Sequence, residues 1–271
     1  MKIICIGSST KDIIFPITDG VLMETPDDLE SQKKIVFELG AKYQVAQGRH
    51  ETIGGCAANV ACGLARLGTE AYCATRVGGD QAGKWIKDEL ERFGVKTELV
   101  QVGADHRSDL STIVAHIPSE DRIIFSDRDS NERMEVSADE IRKIGAEWIF
   151  ISSLNGNMDE GWDKKLDKIL EAASGNAKLI FNPGPKNIKS NPEKIIEAVR
   201  KLQMLIVNKD EAIEIVDKLE GIDRDSLNDE KYLAEKLHEA GAKIVAMTDG
   251  PRGAWAFDGK DFSHVEARKE K

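Results

Sequence analysis

The sequence predicts an α/β protein: a parallel sheet with helices packed on it, plus a small β-rich accessory layer. Three observations predict this. From about residue 140 onward, short β-rich runs alternate with amphipathic helical patterns, the rhythm of βαβ units. The chain opens on an apolar strand, Ile3–Ile6, and glycine-rich turns later sit where strands hand over to helices. Two stretches, within 11–53 and within 97–126, hold short strands and no convincing helix, which suggests a β lid interrupting the core.

In chain order, Ile3–Ile6 and the run around Tyr72–Arg76 belong to the main sheet, with a helix at 57–67 between them. The accessory strands are Ile13–Pro16, Ile35–Leu39 and the run up to Ile53. Ser111–Ile117 and Arg122–Ser126 join them as a hairpin across Pro118-Ser-Glu-Asp121. Ser137-Ala-Asp-Glu140 reads as a capping box that starts a helix. The second half supplies strands at Trp148–Ser152, Lys178–Phe181, Met204–Val207 and Lys243–Met247. Helices near 159–173, 192–202, 209–219 and 229–240 alternate with them. The expected organisation is one domain over 1–271.

A chain of 271 residues buries roughly three quarters of its unfolded surface and needs no staples. Its formal net charge of −10, from 38 basic and 48 acidic residues, argues against nucleic acid as a partner. Cys5, Cys56, Cys62 and Cys73 form no CxxC pair and read as buried reduced thiols. The apolar run at the N-terminus is too short for a signal peptide, and no stretch approaches the ~20 apolar residues of a membrane span. The expected compartment is the cytoplasm.

The most informative stretch is Gly54-Gly-Cys-Ala-Ala-Asn59. Two glycines and small residues open a helix whose N–H groups would face outward, and Asn59 offers both donor and acceptor to a polar ligand. A tight strand-to-helix turn accounts for the same residues. Gly78-Gly-Asp-Gln-Ala-Gly-Lys84 satisfies seven places of a Walker A loop. The eighth, which must give a hydroxyl to Mg²⁺, is Trp85, so a P-loop is rejected. There Asp80 reads as a helix cap, with a carboxylate on a substrate hydroxyl as the alternative. Asn208-Lys-Asp-Glu211 follows a strand and either caps a helix or holds the water shell of Mg²⁺. Thr248-Asp-Gly-Pro-Arg-Gly253 is either a hairpin turn or a nucleotide-phosphate turn, and Asp12 is a lone carboxylate at a strand end. An NAD-type fold would need a GxGxxG after the first strand, where the chain has Gly7-Ser-Ser-Thr10.

In their order along the chain, these motifs resemble the ribokinase-like (PfkB) carbohydrate kinases. The resemblance implies a Rossmann-like three-layer α/β/α core with a small β-sheet lid. It implies ATP- and Mg²⁺-dependent phosphorylation of a primary hydroxyl on a sugar, nucleoside or related small molecule. Asp12, Gly54, Gly55 and Asn59 match the family's substrate positions, and Asn208 and Glu211 match its Mg²⁺ motif. Thr248, Gly250 and Gly253 match its ATP turn, and Asn182 resembles its polar residue near the phosphates. It also implies pairing of two subunits through the lid. Cys56-Ala57 stands where ribokinases proper carry Lys-Gly, and is closer to variants among nucleoside kinases and fructokinase-like members. The family's GAGD segment, with its anion hole and general base, has no counterpart here and is expected beyond Lys271. The 271-residue chain is therefore expected to be impaired in catalysis, or to be a short form that binds sugar or nucleotide.

Overall fold

The computed structural model describes residues 1–26, 33–156, 161–173 and 177–268. The chain runs through β1 (Lys2–Ile6), β2 (Thr10–Ile17), β3 (Val21–Glu24), β4 (Lys33–Val36) and β5 (His50–Gly54) to α1 (Cys56–Arg66). It continues with β6 (Glu70–Gly78), α2 (Gln81–Arg92), β7 (Val100–Gly103), β8 (Leu110–His116), β9 (Asp121–Asp127) and α3 (Ala138–Ile144). Then follow β10 (Trp148–Ile151), α4 (Trp162–Ala172), β11 (Lys178–Phe181), α5 (Pro185–Ser190), α6 (Pro192–Val199), β12 (Met204–Asn208) and α7 (Lys209–Val216). The last elements are α8 (Glu230–Glu239), β13 (Ile244–Thr248), β14 (Ala254–Phe257) and β15 (Phe262–Val265).

Among the described residues the main sheet has nine strands in the order β15-β14-β13-β12-β11-β10-β1-β6-β7. It is parallel from β7 to β13, and β14 and β15 close it antiparallel. Successive side chains of a strand point to opposite faces, so β1 feeds two cores. Ile4 and Ile6 pack with residues of α3, α4, α6, α7 and α8, including Ile141, Leu166, Ile195, Ile215 and Leu233. Ile3 and Cys5 pack with α1 and α2 through Ala57, Ala61, Ile86 and Leu90. Beyond the reach of α1 and α2, that second face leaves Ile180, Met204, Ile206 and Ala246 only half-buried.

The accessory layer is a four-stranded sheet, β5-β2-β8-β9, with β3-β4 as a separate hairpin. Both stretches read as lid from the sequence contribute to it, but Val100–Gly103, inside 97–126, pairs in parallel with β6 and belongs to the main sheet. The lid strands of that segment begin at Leu110. The strand expected over Ile35–Leu39 occupies Lys33–Val36 instead. The helix expected near 159–173 is described from Trp162, residues 159 and 160 lying outside the described residues. The capping box at Ser137 forms in one direction, Ser137 Oγ accepting from the Glu140 N–H at 3.3 Å. Three cysteines are buried and Cys56 is exposed. Burial pushes the Cys5 thiol up to about 12, so it is an inert packing residue. No described helix is long and apolar enough to cross a membrane.

Asp80 joins core to lid. Its Oδ1 accepts from the Gly83 N–H at 2.8 Å and from Ser108 Oγ at 2.6 Å, and its Oδ2 accepts from the Ser108 N–H at 2.9 Å. Both oxygens are thus taken by protein donors, which supports the cap reading over a contact to substrate. Gly83 is required there because a Cβ would stand 2.1 Å from the Gly78 carbonyl oxygen. Burial opposes the Asp80 charge, but the bonds from Ser108 and Gly83 outweigh it and hold the carboxyl below its usual range. A depressed carboxylate pKa adds stability above the unfolded value, about 3.9, and loses it as pH falls through the folded value. Asp80→Ala is expected to cost about 1–2 kcal/mol at neutral pH, the scale of a lost helix cap, and less below about pH 4. Urea titrations at pH 7 and pH 3.5 read both numbers; an equal cost at the two pH values contradicts the linkage.

Candidate functional site

Asp12 lies on β2, opposite Thr52 of β5 and Ser111 of β8. Thr10 Oγ1 donates to Asp12 Oδ1 at 2.7 Å, which fixes the carboxylate. Its Oδ2 lies where a Cβ on Gly54 would be, 2.0 Å from that position, so the carboxylate rests directly on the glycine backbone. Gly55 follows at φ +93°, a conformation that favours glycine, and a Cβ there would stand 2.5 Å from the Ser8 carbonyl oxygen. These two glycines let the β1–β2 turn and the start of α1 touch. The helix N–H groups expected to face outward are partly taken: Cys56 N–H donates to Ser8 Oγ and Ala58 N–H to Ser8 O. Asn59, in the first turn of α1, is exposed. Asp12, Gly54 and Gly55 therefore come together where lid and core meet, and Asn59 lies one helical turn on, its N–H donating to the Gly55 carbonyl at 2.9 Å.

A second group lies at the C-terminal ends of the parallel strands, where open α/β sheets bind ligands. Asn182, just past β11, receives a place from two bonds: its N–H donates to Ile151 O and its Nδ2 to Ile206 O, both at 2.8 Å. Asn208 ends β12 and caps α7, with Oδ1 accepting from Glu211 N–H at 2.8 Å. Glu211 Oε2 accepts from Asn208 N–H at 2.9 Å. The full capping box is thus formed by the very residues read as the Mg²⁺ motif. Glu211 is 8% exposed, and burial pushes its carboxyl above the usual range, helped by the charges of Glu214 and Asp210 and opposed by the Asn208 N–H. A buried carboxylate of this kind gains from a nearby cation. No cluster of three His, Cys, Asp or Glu forms a protein cage among the described residues. One carboxylate and one amide instead suit Mg²⁺, which keeps several waters and takes its other ligands from phosphates.

Thr248 ends β13 and is the register partner of Asn208. The turn after it is closed by Asp249 N–H to Gly253 O at 2.9 Å and Gly253 N–H to Gly250 O at 3.1 Å. Gly253 has φ +97°, and a Cβ would meet Val265 O at 2.1 Å. The turn links β13 to the antiparallel β14, so it is a hairpin as well as a strand-end turn. It borders an open cleft of about 400 Å³ lined by Thr248, Gly250, Gly253, Ala254, Val265, Glu266 and Ala267. Sequence reasoning passed over Val265 and Glu266, because only the β14–β15 pairing brings them beside the turn.

Fold and site together define a ribokinase-like α/β protein. The model for the pfkB family of carbohydrate kinases matches residues 31–271, and the chain belongs to that family. It is 24% identical over 212 residues to a fructokinase of Vibrio alginolyticus, covering 74% of this chain. The chain spans 64% of the length of that relative. A Burkholderia thailandensis nucleoside kinase solved in complex with inosine superposes with TM-score 0.71 at 18% identity, over 99% of this chain and 76% of that one. A Cryptococcus neoformans ribokinase in complex with ADP gives TM-score 0.67 at 20% identity, over 99% and 79%.

Proposed function

We propose that this chain carries the sugar and nucleotide sites of an ATP-dependent kinase that phosphorylates a primary hydroxyl of a sugar or related small molecule. The observation that carries the reading is the pairing of two sites on one core: the Asp12 carboxylate seated on Gly54, and Asn208 in register with Thr248 at the strand ends. In this reading Asp12, Gly54, Gly55 and Asn59 bind sugar hydroxyls. Asn182, Thr248, Gly250 and Gly253 face the nucleotide, and Asn208 and Glu211 hold hydrated Mg²⁺ against its phosphates. The metal supplies charge neutralisation of the phosphates, and these residues position it. Cys56-Ala57 favours a fructokinase-like or nucleoside substrate over ribose. We place the protein in the cytoplasm, as a homodimer joined through the lid, whose outer strand exposes Ile123, Ile124 and Phe125.

Calorimetry of the 271-residue chain with fructose, ribose, adenosine and MgADP tests the reading, and no binding of any of them ends it. Glu211→Gln is expected to reduce the gain in ADP affinity that Mg²⁺ brings by about tenfold, while metal-free ADP binds as before. An unchanged Mg²⁺ gain would remove Glu211 from the metal site.

A further inference from the structure

Lys209 sits between the two residues of the capping box, at the first position of α7. A lysine there is unfavourable twice over. A cation at a helix N-terminus opposes the helix dipole, and this side chain is 7% exposed, so its charge is largely out of water. Its Nζ nevertheless has two hydrogen bonds and one longer ion pair. It donates to Glu230 Oε1 at 2.7 Å and to Asn228 O at 2.8 Å, and forms an ion pair with Asp249 Oδ2 at 4.0 Å. These partners belong to the start of α8 and to the turn after β13. Asp249 is also gripped from inside that turn by Arg252, whose Nε and Nη2 reach its two oxygens at 2.7 and 2.8 Å. Strand pairing already joins β12 to β13, so the sheet itself does not require this buried cation.

We propose that Lys209 is a positioning residue that fixes the Thr248–Gly253 turn at one distance from the Asn208–Glu211 helix start. This rests on the reading of those two elements as the nucleotide and Mg²⁺ sites. A phosphate chain bridging them gains from both only if their spacing is set before it binds, since ordering the turn on binding would cost affinity. Asp249 is the joint, held by Lys209 on one side and Arg252 on the other. Lys209, with two donors on Glu230 and Asn228 and its charge directed toward Asp249, acts through the turn and not through a contact of its own to phosphate.

The test is MgADP affinity by calorimetry on the 271-residue chain, together with amide hydrogen exchange of residues 249–253 without ligand. Lys209→Met and Asp249→Asn are each expected to weaken MgADP about fivefold, the upper end for an ion pair near the surface, and to speed exchange in the turn. Lys209→Arg is expected to restore both, and sugar affinity to stay unchanged in all three. Asp249→Asn separates positioning from charge. If Lys209 merely offset carboxylates near the phosphates, removing the Asp249 charge would tighten MgADP, and that result overturns the proposal. So does wild-type affinity in Lys209→Met. Should Lys209→Met fail to fold, Asp249→Asn at the surface turn decides alone. If the wild-type chain binds no nucleotide, the functional reading fails, and the exchange rates then judge the tether: an unchanged turn refutes it.

Discussion

Asp12→Ala is expected to weaken sugar binding at least about 100-fold while the chain stays folded. A carboxylate accepting two sugar hydroxyls makes two charge-assisted hydrogen bonds of about 1.5 kcal/mol or more each, which multiplies to this factor. The carboxylate is already oriented, since Thr10 Oγ1 holds Oδ1 and the Gly54 backbone supports Oδ2, so little is lost in ordering it. Its loss leaves the buried Thr10 hydroxyl without that acceptor, a cost of about 1 kcal/mol, visible as a small fall in melting temperature. Asp12→Asn, which keeps shape and one acceptor, should fall between. Calorimetry with the sugar that wild type binds most tightly reads the ratio. Equal affinity in Asp12→Ala would move the substrate site away from Asp12 and the two glycines.

Gly55→Ala is expected to destabilise the fold by about 2–4 kcal/mol, the sum of positive-φ strain and an overpacked contact. The added Cβ would stand 2.5 Å from Ser8 O and 2.7 Å from Ser9 Cα, both backbone atoms that no rotamer change can move. Gly54→Ala behaves differently. Its Cβ collides with the Asp12 carboxylate, a side chain that can swing aside, so the fold survives and sugar binding is lost. Urea midpoints and sugar affinities of the two variants should therefore move in opposite patterns. A Gly55→Ala chain as stable as wild type would show that the β1–β2 turn yields where the contact requires it not to.

The strands of the main core were legible because each is a short apolar run bounded by turn residues. Lys178–Phe181 was read in full, and Met204 and Ile244 begin or nearly begin the runs read for their strands. The edges were less legible. Val100–Gly103 carries the same short β pattern as the lid strands around it, and only its pairing with β6 assigns it to the main sheet. Phe262–Val265 was passed over for a related reason: at the margin of the sheet, burial is weak and alternation carries little signal. The site motifs were each ambiguous in isolation, and the ambiguity was real. Asn208 and Glu211 do cap a helix, and the Thr248–Gly253 segment does close a hairpin.

The glycine pair at 54 and 55 marks the line between what sequence and structure each decided. Sequence by itself determined that small residues follow a strand there, that a β-rich layer interrupts an α/β core, and that the family's motifs occur in order. Those are local or sequential properties, carried by side-chain size and hydrophobic period. Tertiary structure alone decided that Asp12 rests on Gly54, that Thr248 faces Asn208, and that Lys209 reaches Asp249 and Glu230. Each of these joins residues far apart in the chain. Strand order and helix placement set such contacts, and local pattern does not encode them.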